Sequence, residues 1–108
     1  MANAFTSYVN KDVGTSAATV VTTSAGTQTT LIGMTIANTS TSTITASAYI
    51  TRGGTNYYIV KDATIAVGGS LVAVGGDQKV VLIAADALKV VSSATGSADV
   101  ITSALVIS

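Results

Sequence analysis

Apolar and polar residues alternate along this chain in short runs, and turn-forming residues interrupt the runs at roughly 8–12-residue intervals, the spacing of small β-sandwiches. Thr29–Ala37 has a period of two, with Ile32, Met34 and Ile36 on one face and Leu31, Gly33, Thr35 and Ala37 on the other. Ile44–Thr51 repeats the pattern, with Ile44, Ala46, Ala48 and Ile50 opposite Thr45, Ser47, Tyr49 and Thr51. Successive strand side chains point to opposite faces, so both segments are predicted as half-buried strands. Ala17–Thr23, Ser70–Val74, Lys79–Ile83, Leu88–Ser92 and Asp99–Ile107 read as further strands, the last with Ile101, Leu105 and Ile107 on one face. Phe5–Val9 reads as a short first strand or an arm, followed by a loop over Lys11–Ser16. Turns are predicted at Ser24–Thr27, Asn38–Thr43, Gly68-Gly69, Gly75-Gly76-Asp77, Ala84–Asp86 and Ser93–Ser97.

The clearest local signal is the pair of strand-like runs Ile44–Thr51 and Asn56–Val60, separated by Arg52-Gly53-Gly54-Thr55. Two glycines supply the positive φ of a tight connection, so a β-hairpin is predicted, with Lys61–Ala66 as a loop or edge segment after it. Val80–Val91 contains helix formers (Leu82, Ala84, Ala85, Ala87, Leu88), but Asp86 in the middle and the β-branched flanks favour two strands. The expected fold is an all-β, antiparallel β-sandwich of jelly-roll or immunoglobulin-like type, with about eight short strands and no substantial helix. Residues 1–14 read as an N-terminal arm or edge strand and 15–108 as one sandwich domain. The pattern contains no linker, charge block or second domain.

Composition strengthens the strand reading. The 18 Thr, 14 Val and 9 Ile make 41 of the 108 residues β-branched, and branched side chains pack well on a pleated surface. It also removes whole classes of chemistry. The chain has no Cys and no His, which excludes a disulfide framework, thiolate or imidazole metal ligands, a cysteine nucleophile and a Ser-His-Asp triad. A net charge of +0 gives no electrostatic basis for nucleic-acid binding. No apolar run approaches the roughly 18–20 residues of a membrane-spanning helix. The opening MANAFTSYVNKD has neither the basic stretch nor the apolar core of a secretory leader, so synthesis in a cytoplasm is expected.

Few residues remain for reactive chemistry. Paired carboxylates would suit glycoside hydrolysis, but no two Asp are close in sequence and each falls at a predicted turn or strand end. Asp residues in turns commonly bond their own backbone, which is the preferred reading. Asp62, Asp77 and Asp86 are candidate calcium ligands, although no acidic loop of the usual spacing exists. The glycine pairs match no phosphate-binding pattern and read as tight turns. Asn38-Thr39-Ser40 fits the glycosylation acceptor pattern and is read as a polar turn. No cofactor, metal or enzymatic activity is expected. The densest group of potential contact residues is at the hairpin, where Arg52, Tyr57, Tyr58 and Lys61 lie close to Tyr49. Tyr and Arg are enriched at protein contacts. In the bland alternative, one of Tyr57 and Tyr58 packs inward, the other faces outward, and the cations keep the edge soluble.

Charged residues make up only 9% of the chain, so its polar surface must be mostly Ser, Thr and Asn. Hydroxyls are cheaper to desolvate than charges, and small residues make flat surfaces. These properties point to a building unit that buries further surface in a homo-oligomer or on a lattice.

Residues about 30–105 strengthen that expectation. The turn-rich ANTSTSTITASAYITRGGTNYYIVKD, the Gly-rich strand after it, and GDQKVVLIAADALKVVSS resemble a family of small virion proteins of tailed bacteriophages, familiar from phages of cyanobacteria and other aquatic bacteria. Where the family pattern has Gly-Asp, this chain has Ala85-Asp86, which puts the turn type there in question. The resemblance implies a β-sandwich located in the virion, as a capsid decoration or cement subunit or a neck or tail component. Its partners would be copies of itself and other virion proteins, chiefly the major capsid protein, with no nucleic acid and no membrane. The contact residues expected are Phe5 and Tyr8 in the N-terminal segment, which would reach a neighbour, and Arg52, Tyr57, Tyr58 and Lys61 at the hairpin. The competing reading is a carbohydrate-binding adhesive module using Tyr57 with Asn56 and Asp62.

Overall fold

A computed structural model describes residues 3–75 and 79–108. Ala2 of the N-terminal segment, and Gly76 and Asp77 of one predicted turn and candidate calcium site, lie outside the described residues. The described chain forms nine strands: β1 (Asn3–Val13), β2 (Ala18–Thr22), β3 (Gln28–Asn38), β4 (Ile44–Arg52), β5 (Thr55–Ile65), β6 (Ser70–Val74), β7 (Val80–Leu82), β8 (Ala87–Ser92) and β9 (Ala98–Ile107). Among the described residues no helix is long and apolar enough to cross a membrane.

Strand pairing is antiparallel and nested. β1 pairs with β9, β2 with β8, β3 with both β6 and β7, and β4 with β5. The chain is therefore one long hairpin whose two arms run side by side. Pairing of β9 with β3 and of β8 with β4 rolls that hairpin into two sheets, β1-β9-β3-β6 and β2-β8-β4-β5. Rolling the hairpin this way makes a jelly roll, the first of the two expected sandwich types. β6 and β7 share one position against β3, so nine strands fill the eight places of the fold.

The core lies between the sheets. Leu31, Met34, Ile36, Leu82, Val100 and Ala104 from the first sheet meet Ile44, Ala46, Ala48, Leu88 and Val90 from the second. Burial of each Leu, Ile, Val or Met side chain stabilises the fold by about 1.5–3 kcal/mol. Small Ala46 and Ala48 on the central β4 let the sheets approach closely.

Several strands depart from the sequence expectation because of bulges. Ile32, Met34 and Ile36 do not share one face. The register with β9 slips between Leu31 and Gly33, so Ile32 is an inserted residue. Leu31 before the bulge and Met34 and Ile36 after it all point inward, and Ile32 is displaced to the outer side. β1 continues past Val9 through part of the predicted loop, because a bulge with Asp12 at φ 55° lets Val13 pair with Ala98. Lys61–Ala66 largely continues β5 as an edge strand, with Asp62 at φ 51° inside it rather than at its end. Bulges thus extend β1, β3 and β5 to 11 residues, beyond the short strands expected.

Two turns carry specific polar chemistry. Buried Asn38 donates from Nδ2 to the carbonyls of Ser42 (2.8 Å), Ile65 (3.1 Å) and Ala66 (3.3 Å). Its Oδ1 accepts from the backbone N–H (2.9 Å) and hydroxyl (2.7 Å) of Ser40. An amide so engaged joins the end of β3 to the β5–β6 turn, which supports the structural reading of Asn38-Thr39-Ser40 over a glycan acceptor. In the β7–β8 turn Ala85 adopts φ 73°, a conformation that suits the glycine of the resembling pattern.

Asn38→Ala removes the whole set of side-chain bonds and takes its amide donor from the buried Ile65 carbonyl, so it is expected to destabilise the protein by about 1–3 kcal/mol in urea unfolding. Ala85→Gly relieves a left-handed backbone that costs an L-residue about 1–2 kcal/mol, against about 0.5–1 kcal/mol of added freedom in the unfolded chain. The expected result is a slightly higher urea midpoint.

Candidate assembly surface

The hairpin forms as predicted. β4 and β5 are joined by Gly53-Gly54 at φ 61° and 80°, with Arg52 opposite Thr55. Two consecutive positive φ values define a turn whose twist matches that of the strands, and glycine adopts them without a Cβ clash. Tyr57 and Tyr58 occupy opposite faces. Tyr58 is cross-strand from Tyr49 on the outer face of the second sheet, with ring centroids 5.0 Å apart, and Lys61 Nζ lies 5.1 Å from the Tyr58 ring centre. Lys89 is opposite Tyr49 on β8. Tyr57 pairs with Ile50 on the other face and borders a hollow with Ile50 and Arg52.

Arg52 is tied down. Its guanidinium donates two hydrogen bonds to Asp86, Nε to Oδ1 at 2.8 Å and Nη2 to Oδ2 at 2.6 Å. Asp86 is almost fully buried and also accepts the Ile83 N–H at 2.9 Å. The pair clamps the hairpin tip to the β7–β8 turn. The Arg52 hydrogen bonds, aided by the Ile83 N–H, hold the Asp86 carboxyl below the usual carboxylate range despite its desolvation. Asp86 therefore sits in the self-bonded turn foreseen for the Asp residues. Asp62 accepts from the Ser47 hydroxyl at 3.4 Å. Among the described residues no three potential metal ligands gather.

A broader surface lies on the outer face of the first sheet. Two cross-strand rows run over it: Phe5–Leu105–Thr30–Val81 and Val9–Ile101–Thr35–Val72. Ser7, Ser103 and Gly33 lie between the rows. Phe5 is 81% exposed, Val9 75%, Val72 65% and Ile101 57%, and nothing in the described chain covers them. At one end of this face Asp99 accepts the Asp12 N–H at 3.0 Å and Lys11 Nζ approaches at 3.4 Å. The Asp12 N–H is the main cause that holds the Asp99 carboxyl below its ordinary range. An exposed apolar sheet face of this kind is a candidate interaction surface.

The six expected contact residues do not form one site. Phe5 lies on this face, whereas Tyr8 points inward and packs on the core. Tyr58 and Lys61 lie on the far side of the sandwich, and Tyr57 and Arg52 at the hairpin tip. Asn56 bonds Thr51 across the hairpin, on the face opposite Tyr57, so the Tyr57–Asn56–Asp62 sugar site is not assembled. The residues missed were Val9, Val72, Val81, Ile101 and Leu105. Their signal was present in β9, which is apolar at alternate positions on both faces: Val100 and Ala104 face the core, and Ile101 and Leu105 face out. Strands covered on both faces carry such a pattern, whereas a strand of a one-sided antiparallel sheet has a polar outer face.

Fold and surface together define a small jelly-roll unit with one open apolar sheet. No protein-family model and no curated protein matches the chain. Among solved structures, a chain from the T13 IBDV viral particle is similar at 14% sequence identity and a TM-score of 0.38. The alignment covers 96% of this chain and 34% of that one, so this chain spans about a third of its length.

Because Asp86 and Asp99 have depressed pKa values in the folded state, the stability they contribute is present above the unfolded carboxylate pKa of about 4 and is lost as pH falls through their folded values. Thermal melts between about pH 7 and 2 are expected to show this loss. Asp86→Asn should lower Tm by roughly 5–10 °C at pH 7 and flatten the acid dependence.

Proposed function

We propose that this protein is a structural subunit of a virion, one that performs no chemistry and works through the surface it buries. The observation that carries the reading is the largely apolar outer face of the first sheet, with Phe5, Val9, Val72 and Ile101 left open to solvent in a chain of which only 9% is charged. Jelly rolls build viral shells, lectins and cupins alike, so the surface rather than the fold decides between them. A lectin or enzyme needs convergent polar groups, whereas this face offers aliphatic side chains, a phenylalanine and small hydroxyls. The resemblance of residues about 30–105 to tailed-phage virion proteins supports the same assignment.

The specific role proposed is capsid decoration. Apolar burial of about 25 cal/mol per Å² holds each subunit on the major capsid protein. Many identical contacts on one shell then reinforce one another, because each additional contact forms at high effective concentration. A neck or tail location is the alternative within the same class and differs in copy number.

Mass spectrometry of purified particles is expected to find the chain at hundreds of copies, and Ile101→Asp or Val9→Asp to abolish its incorporation while the isolated protein stays folded. Absence from the particle overturns the reading. A copy number of about six or twelve moves it from shell to neck or tail.

A further inference from the structure

Sheet edges attract other strands, and proteins ordinarily blunt them. Three edges of this sandwich are blunted. β6 and β7, which share one edge, have five and three residues. β2 has five residues and a register shift against β8. β5 is interrupted by bulges and carries Lys61 and Asp62. The fourth edge is different. β1 pairs with β9 in unbroken register from Asn3 to Asn10, and no charge occurs in it before Lys11. Its other side pairs with no strand among the described residues.

The sequence of this edge is self-complementary. In an antiparallel pairing of β1 with its own copy about a two-fold axis at Ser7, Phe5 lies opposite the partner's Val9, and Val9 opposite the partner's Phe5. Aromatic and β-branched side chains directly opposite each other form favourable cross-strand pairs. A shift by two residues in one direction sets Phe5 against Ser7, and in the other against Lys11. A shift by one sets outer-face residues against inner-face ones, which a continuous pleat forbids. The Ser7 register also makes the two apolar rows continuous: the row ending at Val9 is extended by the partner's row beginning at Phe5. The contact spans about 27 Å of strand.

We propose that the protein forms a two-fold dimer with a second copy of itself through β1, centred on Ser7, so that the two first sheets merge into one. This goes beyond the virion assignment and does not depend on it: absence from a particle leaves the dimer standing, and a monomer found in particles removes the dimer alone.

Sedimentation equilibrium of the full chain between about 1 and 200 µM tests it. Wild type is expected to pass from monomer to dimer. Ser7→Asp and Ser7→Lys each place like charges opposite one another at the axis, and each is expected to weaken association at least tenfold while an unchanged circular dichroism spectrum shows the fold intact. An equimolar mixture of the two variants should recover the dimer, an outcome misfolding cannot produce. Wild type that stays monomeric, a dimer indifferent to both substitutions, or a mixture that does not associate overturns the proposal. In the last two cases the surface is used otherwise, by face-to-face stacking or by another protein's strand.

Discussion

One inserted residue, Ile32, sets the sidedness of the whole first sheet. β3 pairs with β9 over nearly its full length and carries β6 and β7 on its other side, so its pleat fixes the pleat of the sheet. Without the bulge, strict alternation from Leu31 would send Met34 and Ile36 to solvent. With it, Leu31, Met34 and Ile36 all enter the core, and the residues paired to them follow. Thr35 and Thr30 are left outside as the middle members of the two apolar rows. Core and contact face are therefore two consequences of one change of phase.

A chain with so few charges uses its polar groups where they join distant segments. The Arg52–Asp86 pair clamps the hairpin tip to the β7–β8 turn, and the Asn38 amide holds three carbonyls from two turns. Each acts at an end of the sandwich, where strands stop and backbone groups would otherwise lack partners. The outer face of the first sheet carries mainly Thr, Ser, Val, Ile, Leu and Phe. This division explains how a protein can be uncharged over most of a sheet and still hold one defined fold: specificity comes from the ends, and the open sheet is free to be apolar.

The outer face also accounts for a composition that looks unfavourable for an isolated soluble protein. Val9, Val72, Ile101 and Phe5 add nothing to the core, and no third layer among the described residues covers them.

Much of this was determined by the sequence alone. β-branched residues with period-two alternation, and turn residues at short intervals, specify strands locally, because side-chain branching and φ preference act within a few residues. The Gly53-Gly54 hairpin, Ser70–Val74 and the two strands either side of Ala84–Asp86 were legible for that reason. Tertiary structure decided the rest. Whether the sandwich would be a jelly roll depended on which distant strands pair, as β1 with β9 does across almost the whole chain. The bulges at Ile32, Asp12 and Asp62 are set by the need to keep register with a partner strand that local pattern does not reveal. The apolar outer face was hidden for the same cause: Val9, Ile101, Thr35 and Val72 lie far apart in sequence and become one row only when four strands are brought side by side.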